Sequence, residues 1–478
     1  VPPLSLPLSG ARIASAVSAL ALLAATQALG PSSARAAAPR AEVWVTTPDG
    51  GRKLAHAASL GFDTSPGPGD ISIDPEDKEQ RFTGAGASLT EASAKLLGQL
   101  PEERRDKLME DLFATGEGGI GLDYLRQPLG GNDFVARLPY FSYEDTKGSF
   151  SIARDEKEVL PLLRQARKIN PGIRIMASPW SAPGWMKEND SLSGGRLAPE
   201  HQEDFADYLV RALKAYAKAG VPVQDLTVAN EPLFQAIYPS MLMSSGQQTA
   251  LFKILDRKLT AAGLDTGLWA FDHNWDHPEY ALDVLRRTAD IERVRGASFH
   301  CYGGRPEQQL DVRKAGERVL FTECSGTDGE DGVQDFSQAL GWQTANWLIR
   351  TLRSGAETVV LWNLALDPEG KPHFGYCRGC NGVVQVDGEN VHKNAEFYVL
   401  GHLSKFVDRG ARRIGSTSEG SGGVQTVAFQ NPDGSRVCLV LNGTGKSRSF
   451  TLTDEGKSLS YKLPRGAVAT FAWPGEKG

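Results

Sequence analysis

Cysteine is scarce in this chain, with five in 478 residues. That excludes a small disulfide-stapled scaffold. The C-x-x-C of Cys377-Arg378-Gly379-Cys380 has no second pair, which excludes a four-thiolate zinc site. In an exported chain it reads as a local loop disulfide, Cys377 to Cys380. Positive charge is short as well: 52 Lys and Arg against 58 Asp and Glu, a net charge of −6. The chain therefore lacks the basic footprint of a nucleic-acid binder and the polybasic patch of a membrane-surface protein. Its one long apolar run, residues 13–29, is broken by Ser15, Ser18 and Gln27, so no stable membrane anchor is expected. Nucleotide loops are missing too. Gly84-Ala85-Gly86 has Leu89 where a third small residue belongs, and Gly443-Thr444-Gly445-Lys446-Ser447 has Val440 in place of the first P-loop glycine. The latter reads as a hairpin turn. With no metal-ligand spacing and no Gly-x-Ser-x-Gly elbow, neither a cofactor nor a metal is expected.

The N-terminus carries Arg12, the short apolar run, Gly30-Pro31 and Ala34-Arg35-Ala36. A positive start, an apolar core and a small-x-small site describe a secretory signal peptide over residues 1–36, and hence an extracellular protein. Short strands follow within residues 41–80, at 41–46 and 69–74. From Phe82 a strand–helix rhythm sets in, with strands expected at 83–89, 121–127, 172–178, 225–230, 267–272, 296–302, 318–324 and 357–363. Helical stretches lie between them, among them 102–113, 156–168, 200–218, 247–262 and 334–352, the last carrying Trp342 and Trp347 as core residues. Apolar runs alternating with helical-period segments argue for a parallel sheet, and eight such units over residues 81–405 for a (β/α)8 barrel. A doubly wound open sheet is the alternative. Residues 406–478 switch to short alternating strands, with a turn signal at Asn431-Pro432-Asp433-Gly434 and an acceptor sequon at Asn442-Gly443-Thr444. They are expected to form a β-sandwich side domain with the N-terminal strands, covering the barrel.

Chemistry centres on Thr227-Val228-Ala229-Asn230-Glu231-Pro232. The residue before a proline is pushed out of the helical region, so Glu231 is expected to be extended at a strand end. Barrels gather functional groups at the C-terminal ends of their strands. Those ends offer Arg126 with Asp133 beyond it, Trp180 and Trp185 on a Pro-rich loop, Asn230 with Glu231, His300 with Tyr302, Glu323, and Trp362. Carboxyls, amides and flat indoles round one mouth suit a sugar. Hydrolysis of a glycosidic bond needs two carboxyls, and Glu231 as acid/base with Glu323 as nucleophile meets that need. The acid must keep its proton near neutral pH, which a neighbouring carboxylate arranges by repulsion. Cys324 alternates away from Glu323 and reads as structural.

The combination resembles the glycoside hydrolase family that includes the glucosylceramidases, family 30. The resemblance runs from about Phe82 to Lys405 through Thr90-Glu91-Ala92-Ser93-Ala94, Ala177-Ser178-Pro179-Trp180-Ser181, Asn230-Glu231-Pro232, Phe321-Thr322-Glu323 and Trp362-Asn363-Leu364-Ala365-Leu366. Tyr398-Val399-Leu400-Gly401-His402-Leu403 is similar to the family's passage into its side domain. The resemblance implies a retaining mechanism and sugar contacts from Arg126, Asp133, Trp185, Asn230, His300, Tyr302 and Trp362. It also implies β-D-glucoside substrates. Within the family the choices include glucosylceramide-type glucosides and β-1,6-glucan cut internally, with xylosides or fucosides as further alternatives. His300-Cys301-Tyr302 stands where the family often has His-Trp-Tyr, and the lost indole leans the expectation toward a glucan. A non-hydrolytic carbohydrate-binding protein on the same scaffold is the reading from another class, and the presence of both glutamates argues against it.

Overall fold

The computed structural model describes residues 40–63, 69–327, 334–377, 379–417 and 423–475. The signal-peptide segment, 1–36, lies outside the described residues. Among these, no helix is long and apolar enough to cross a membrane.

Eight parallel strands form the barrel: β1 Gly84–Ser88, β2 Tyr124–Leu129, β3 Arg174–Pro179, β4 Asp225–Leu226, β5 Gly267–Asn274, β6 Val294–His300, β7 Val319–Glu323 and β8 Thr358–Leu366. They neighbour one another in sequence order, and β8 returns to pair with β1. Closure between β7 and β8 rests on Glu357 N–H to Val319 O at 2.8 Å and Trp362 N–H to Cys324 O at 2.8 Å. All nine residues of β8 are buried, as expected of a strand covered on both faces. β1 is built of Gly and Ala, poor strand formers. The reason is proximity: a Cβ on Gly86 would stand 2.0 Å from Tyr124 O. Tyr124, Met176, Trp269, Leu320 and Val360 fill the interior below the mouth. Asp225 ties that plug, accepting from Tyr124 Oη at 3.0 Å and Trp269 Nε1 at 2.8 Å.

Every expected barrel strand exists, with two corrections to the elements around them. The fourth is paired only over Asp225–Leu226, not to residue 230. The helix expected over 156–168 is two, Ala153–Glu158 and Leu160–Ile169. Pro161 accounts for the second start, since it fits the first turn of a helix and not its middle.

The side domain is a nine-stranded sheet ordered Lys457–Leu463, Arg448–Asp454, Ile71–Arg81, Arg412–Ser416, Val424–Gln430, Arg436–Asn442, Val468–Trp473, Arg40–Thr46, Ala55–Gly61. N- and C-terminal strands thus share one sheet. Arg436–Asn442 is buried throughout because its two faces serve two cores. Val437, Leu439 and Leu441 pack with the barrel, whereas Cys438 and Val440 pack within the side domain. The 431–434 turn is present, with Gly434 N–H to Asn431 O at 2.9 Å. Residues 443–447 are not a hairpin turn: they join Arg436–Asn442 to Arg448–Asp454, which are not neighbours in the sheet. The sequon is closed, since Asn442 is buried with Nδ2 donating to the carbonyls of Lys446, Leu463 and Pro464. Trp347 is core, but Trp342 is 56 % exposed. The two rings meet edge-on, 5.8 Å between centroids, with Trp347 facing the core and Trp342 outside it.

Candidate active site

Past Leu226 the chain leaves the β4 ladder and is held by single bonds, Asn230 N–H to Pro179 O at 2.8 Å and Glu231 N–H to Asp272 O at 3.0 Å. Glu231 is not extended. Its φ of +46° puts it in the left-handed region, a conformation that a non-glycine residue keeps only when its surroundings impose it. Here they do: the backbone bond to β5 and the ring of Pro232 fix both sides, and the carboxyl is aimed at the barrel axis.

Beneath it lies a fully buried charged cluster. Arg126 on β2 is inaccessible to solvent and donates to Asp272 Oδ2 at 2.8 Å, to Asn230 Oδ1 at 2.7 Å and to Glu323 Oε2. Asp272 accepts from Ser178 and Thr227 at 2.8 and 2.7 Å on Oδ2 and from Thr322 at 2.8 Å on Oδ1. His300 bridges the halves, with Nε2 3.0 Å from Asp272 Oδ1 and Nδ1 3.2 Å from Glu231 Oε1. Tyr302 Oη donates to Glu323 Oε1 at 3.1 Å. Carboxylate oxygens of Glu231 and Glu323 lie within 4.8 Å of one another.

Charge follows from this geometry. Burial holds the Asp272 carboxyl back from ionising, but Arg126 and His300 outweigh it and keep its pKa well below the usual range. Burial works against an imidazolium at His300. The Glu323 and Asp272 charges and the bonds to Asp272 and Glu231 prevail, raising its pKa to about 9. Glu231 is lowered, since the hydrogen bond and charge of His300 exceed the cost of burial. Glu323 is raised, chiefly by burial, with Glu231 and Asp272 adding to it against His300 and Arg126. The expected origin of an acid at Glu231, repulsion by a neighbouring carboxylate, is thus overridden by His300. Two like charges this close in a buried site resist joint ionisation, so the two carboxyls titrate as a pair.

Above the cluster opens a cavity of about 300 Å³, lined by Asp133, Trp180, Asn230, Glu231, Tyr302, Glu323 and Trp362 among others. Trp180 and Trp362 stack at 4.8 Å between centroids and 18° between planes, and the Arg126 guanidinium sits 4.8 Å from the Trp180 ring centroid. Burial, reinforced by the Glu323 charge, lifts the Asp133 pKa well above the usual range. Its approach is fixed by Gly375, where a Cβ would meet the Asp133 Cβ at 2.7 Å.

Seven of the ten expected site residues therefore line one cavity. Arg126 and His300 do not; they lie buried under its floor and act through Glu323, Asp272 and Glu231. Trp185 is elsewhere. Its Nε1 donates to Glu144 O at 2.8 Å, its ring meets His201, and it is not among the lining residues. Sequence reasoning missed Asp272, His273 and Tyr238. Phe271 and Asp272 both have positive φ, 73° and 72°, and the ladder shifts register there, which turns Asp272 inward. The polar run Asp272-His273-Asn274 closing an apolar strand was the available signal.

The C-x-x-C pair is bonded, Cys377–Cys380, and lines the cavity. A second disulfide joins Cys301 to Cys324, leaving Cys438 free and buried. Glu231, His300 and Glu323 offer three potential ligand atoms to a metal, yet both nitrogens of His300 already face carboxylates and Glu323 faces Arg126.

Facing carboxyls, a protonated histidine and paired indoles over a barrel mouth belong to a glycoside hydrolase, and that is the class to which fold and site point. More narrowly, the chain belongs to glycosyl hydrolase family 30: the family's TIM-barrel domain matches residues 82–407 and its beta sandwich domain residues 410–471. It is similar to endo-1,6-beta-D-glucanase BGN16.3 of Trichoderma harzianum, 30 % identical over 97 % of this chain and 99 % of the relative. The lysosomal acid glucosylceramidase of Mus musculus is 29 % identical over 84 % of this chain and 83 % of that protein. Among solved structures, an endo-beta1,6-glucanase superposes with a TM-score of 0.85 at 29 % identity, covering 91 % of this chain and all of that one.

Proposed function

We propose that this chain hydrolyses β-D-glucosidic bonds with retention of configuration and that its substrate is β-1,6-linked glucan, cut internally. The observation that carries retention is the approach of Glu231 and Glu323 to within 4.8 Å between carboxylate oxygens. Retaining pairs stand roughly 5–5.5 Å apart and inverting pairs about 6.5–9.5 Å, the wider gap admitting a water. Glu323, fixed by Arg126 and Tyr302, attacks the anomeric carbon. Glu231 protonates the departing oxygen and then activates water against the glycosyl ester. A proton must sit on Glu231 when substrate is in place. The His300 imidazolium by itself favours the Glu231 anion; what puts the proton on Glu231 is Glu323, which must be ionised to attack and whose charge opposes a second anion beside it. Once Glu323 is esterified its charge is gone, His300 loses a partner that raised its pKa, and Glu231 is free to work as a base. Export from the cell fits the N-terminal segment and belongs to the same proposal.

The glucan is supported by the likeness to proteins named endo-1,6-beta-D-glucanases. A second reading, glucosylceramide as substrate, is favoured by an exposed apolar rim of Leu233, Phe234 and Ile237 just past Glu231. Product size over time from β-1,6-glucan, with glucosylceramide assayed in parallel, separates them. Mixed short oligosaccharides support the first reading, and ceramide release with glucose alone supports the second. A 2-fluoro-glucoside that traps the glycosyl ester should label Glu323; labelling elsewhere, or none with turnover intact, refutes the mechanism.

A further inference from the structure

We propose that the disulfide Cys301–Cys324 is a positioning device that holds Tyr302 against Glu323. The inference rests on the reading of Glu323 as the nucleophile. β6 and β7 run in parallel register up to the pair His300 and Glu323, where their ladder ends with a register shift. The next residue on each chain is a cysteine, and these two are bonded with their Cα atoms 5.3 Å apart. The covalent tie therefore takes over where the hydrogen bonds stop, one residue past His300 and one past Glu323. It also steadies β8, because Cys324 O accepts from Trp362 N–H at 2.8 Å.

Tyr302 needs such a tie. It stands on the bend after β6, 47 % exposed. It is held by its N–H to Asn274 Oδ1 at 3.1 Å and by Oη at 3.1 Å from Glu323 and 3.3 Å from Ser325. Ordering a large side chain on an exposed bend costs conformational entropy, and two or three surface-reachable bonds offset little of it. A cross-link at the preceding residue removes most of the backbone freedom that would swing the ring away.

The Tyr302 hydroxyl donates to Glu323 and so favours its ionised form. The acidic limb of kcat/KM for an aryl β-glucoside reports that ionisation in the free enzyme. Tyr302→Phe should move this limb up by about 1 pH unit, the size of one hydrogen bond to a charged group. The double variant Cys301→Ser/Cys324→Ser should move it by a similar amount and lower kcat/KM roughly 10-fold. Adding Tyr302→Phe to the double variant should then change the limb little, since both act through one bond. Cys301→Ala/Cys324→Val, which restores apolar volume, serves as the second variant if the serines prevent folding. An unmoved limb in the cysteine variants while Tyr302→Phe moves it overturns the inference and leaves the nucleophile in place. Full additivity overturns it as well. If Tyr302→Phe itself leaves the limb unmoved, the assignment of Glu323 falls and takes the inference with it.

Discussion

His402 offers the sharpest test of how the two domains are joined. It lies on the helix Ala395–Ser404, fully buried, between strands Arg40–Thr46 and Val468–Trp473 of the side sheet. Its Nδ1 is 2.8 Å from Thr470 Oγ1 and its Nε2 is 2.8 Å from Thr46 Oγ1. Thr470 donates its hydroxyl proton to His402 O at 2.9 Å, so it must accept from Nδ1–H. Thr46 accepts from Leu54 N–H at 2.9 Å and gives its own proton to Nε2. The ring is thus a neutral Nδ1–H tautomer, and a second proton has no carboxylate to meet it. Burial drives its pKa from 6.5 to about 3. Above pH 6.5 the folded and unfolded chains are both neutral here, and the group adds no pH dependence. Between 6.5 and 3 the unfolded chain takes up a proton that the folded one refuses, so stability falls as pH falls. At pH 4.5 the deficit is about 1.36 × 2, or about 2.7 kcal/mol. His402→Gln keeps a donor and an acceptor but does not titrate. Urea unfolding of both proteins at pH 7.5 and 4.5 should show the wild type losing about 2–3 kcal/mol more than the variant. Equal losses would refute the neutral, partnered histidine and with it this account of the junction.

Other expectations are checked by steady-state kinetics and unfolding. Asp272→Asn strips Arg126 and His300 of their shared anion and should lower kcat/KM at least 100-fold with little change in the circular dichroism spectrum. Glu231→Ala should cost about 10⁴-fold or more on glucan and far less on an aryl glucoside whose leaving group needs no proton. His273, 3.9 Å from Glu231 and kept neutral by burial with a pKa near 4, should not set the acidic limb above pH 5. If His273→Ala moves a limb near pH 7, that protonation state is wrong. Lys187 is buried, donates to Ser181 Oγ, Leu192 O and Ser240 O, and has its pKa lowered by burial to about 7. Its unfolded form stays charged to higher pH, so wild-type stability should rise between pH 7 and 10 more steeply than that of Lys187→Met.

The sequence by itself determined the alternation of strand and helix, and with it the barrel. Apolar runs such as Thr358–Leu366 must be covered on both faces, whatever covers them. It also determined that Glu323 closes the seventh strand and that Asn230-Glu231 follows the fourth, which in a parallel barrel brings them to one mouth. Local pattern could not reach what depends on packing across the barrel. Glu231 is left-handed because β5 holds its amide, and Asp272 turns inward because two residues of β5 take positive φ. The bond between Cys301 and Cys324 depends on two strands meeting in register, which spacing along one chain does not reveal. Trp185 shares a loop with Trp180 but is drawn off by the carbonyl of Glu144, 41 residues away in the chain. The charge on the two glutamates was the least legible property. It is set by burial together with His300 and Arg126, where a few ångströms between groups on different strands outweigh the intrinsic acidity of each.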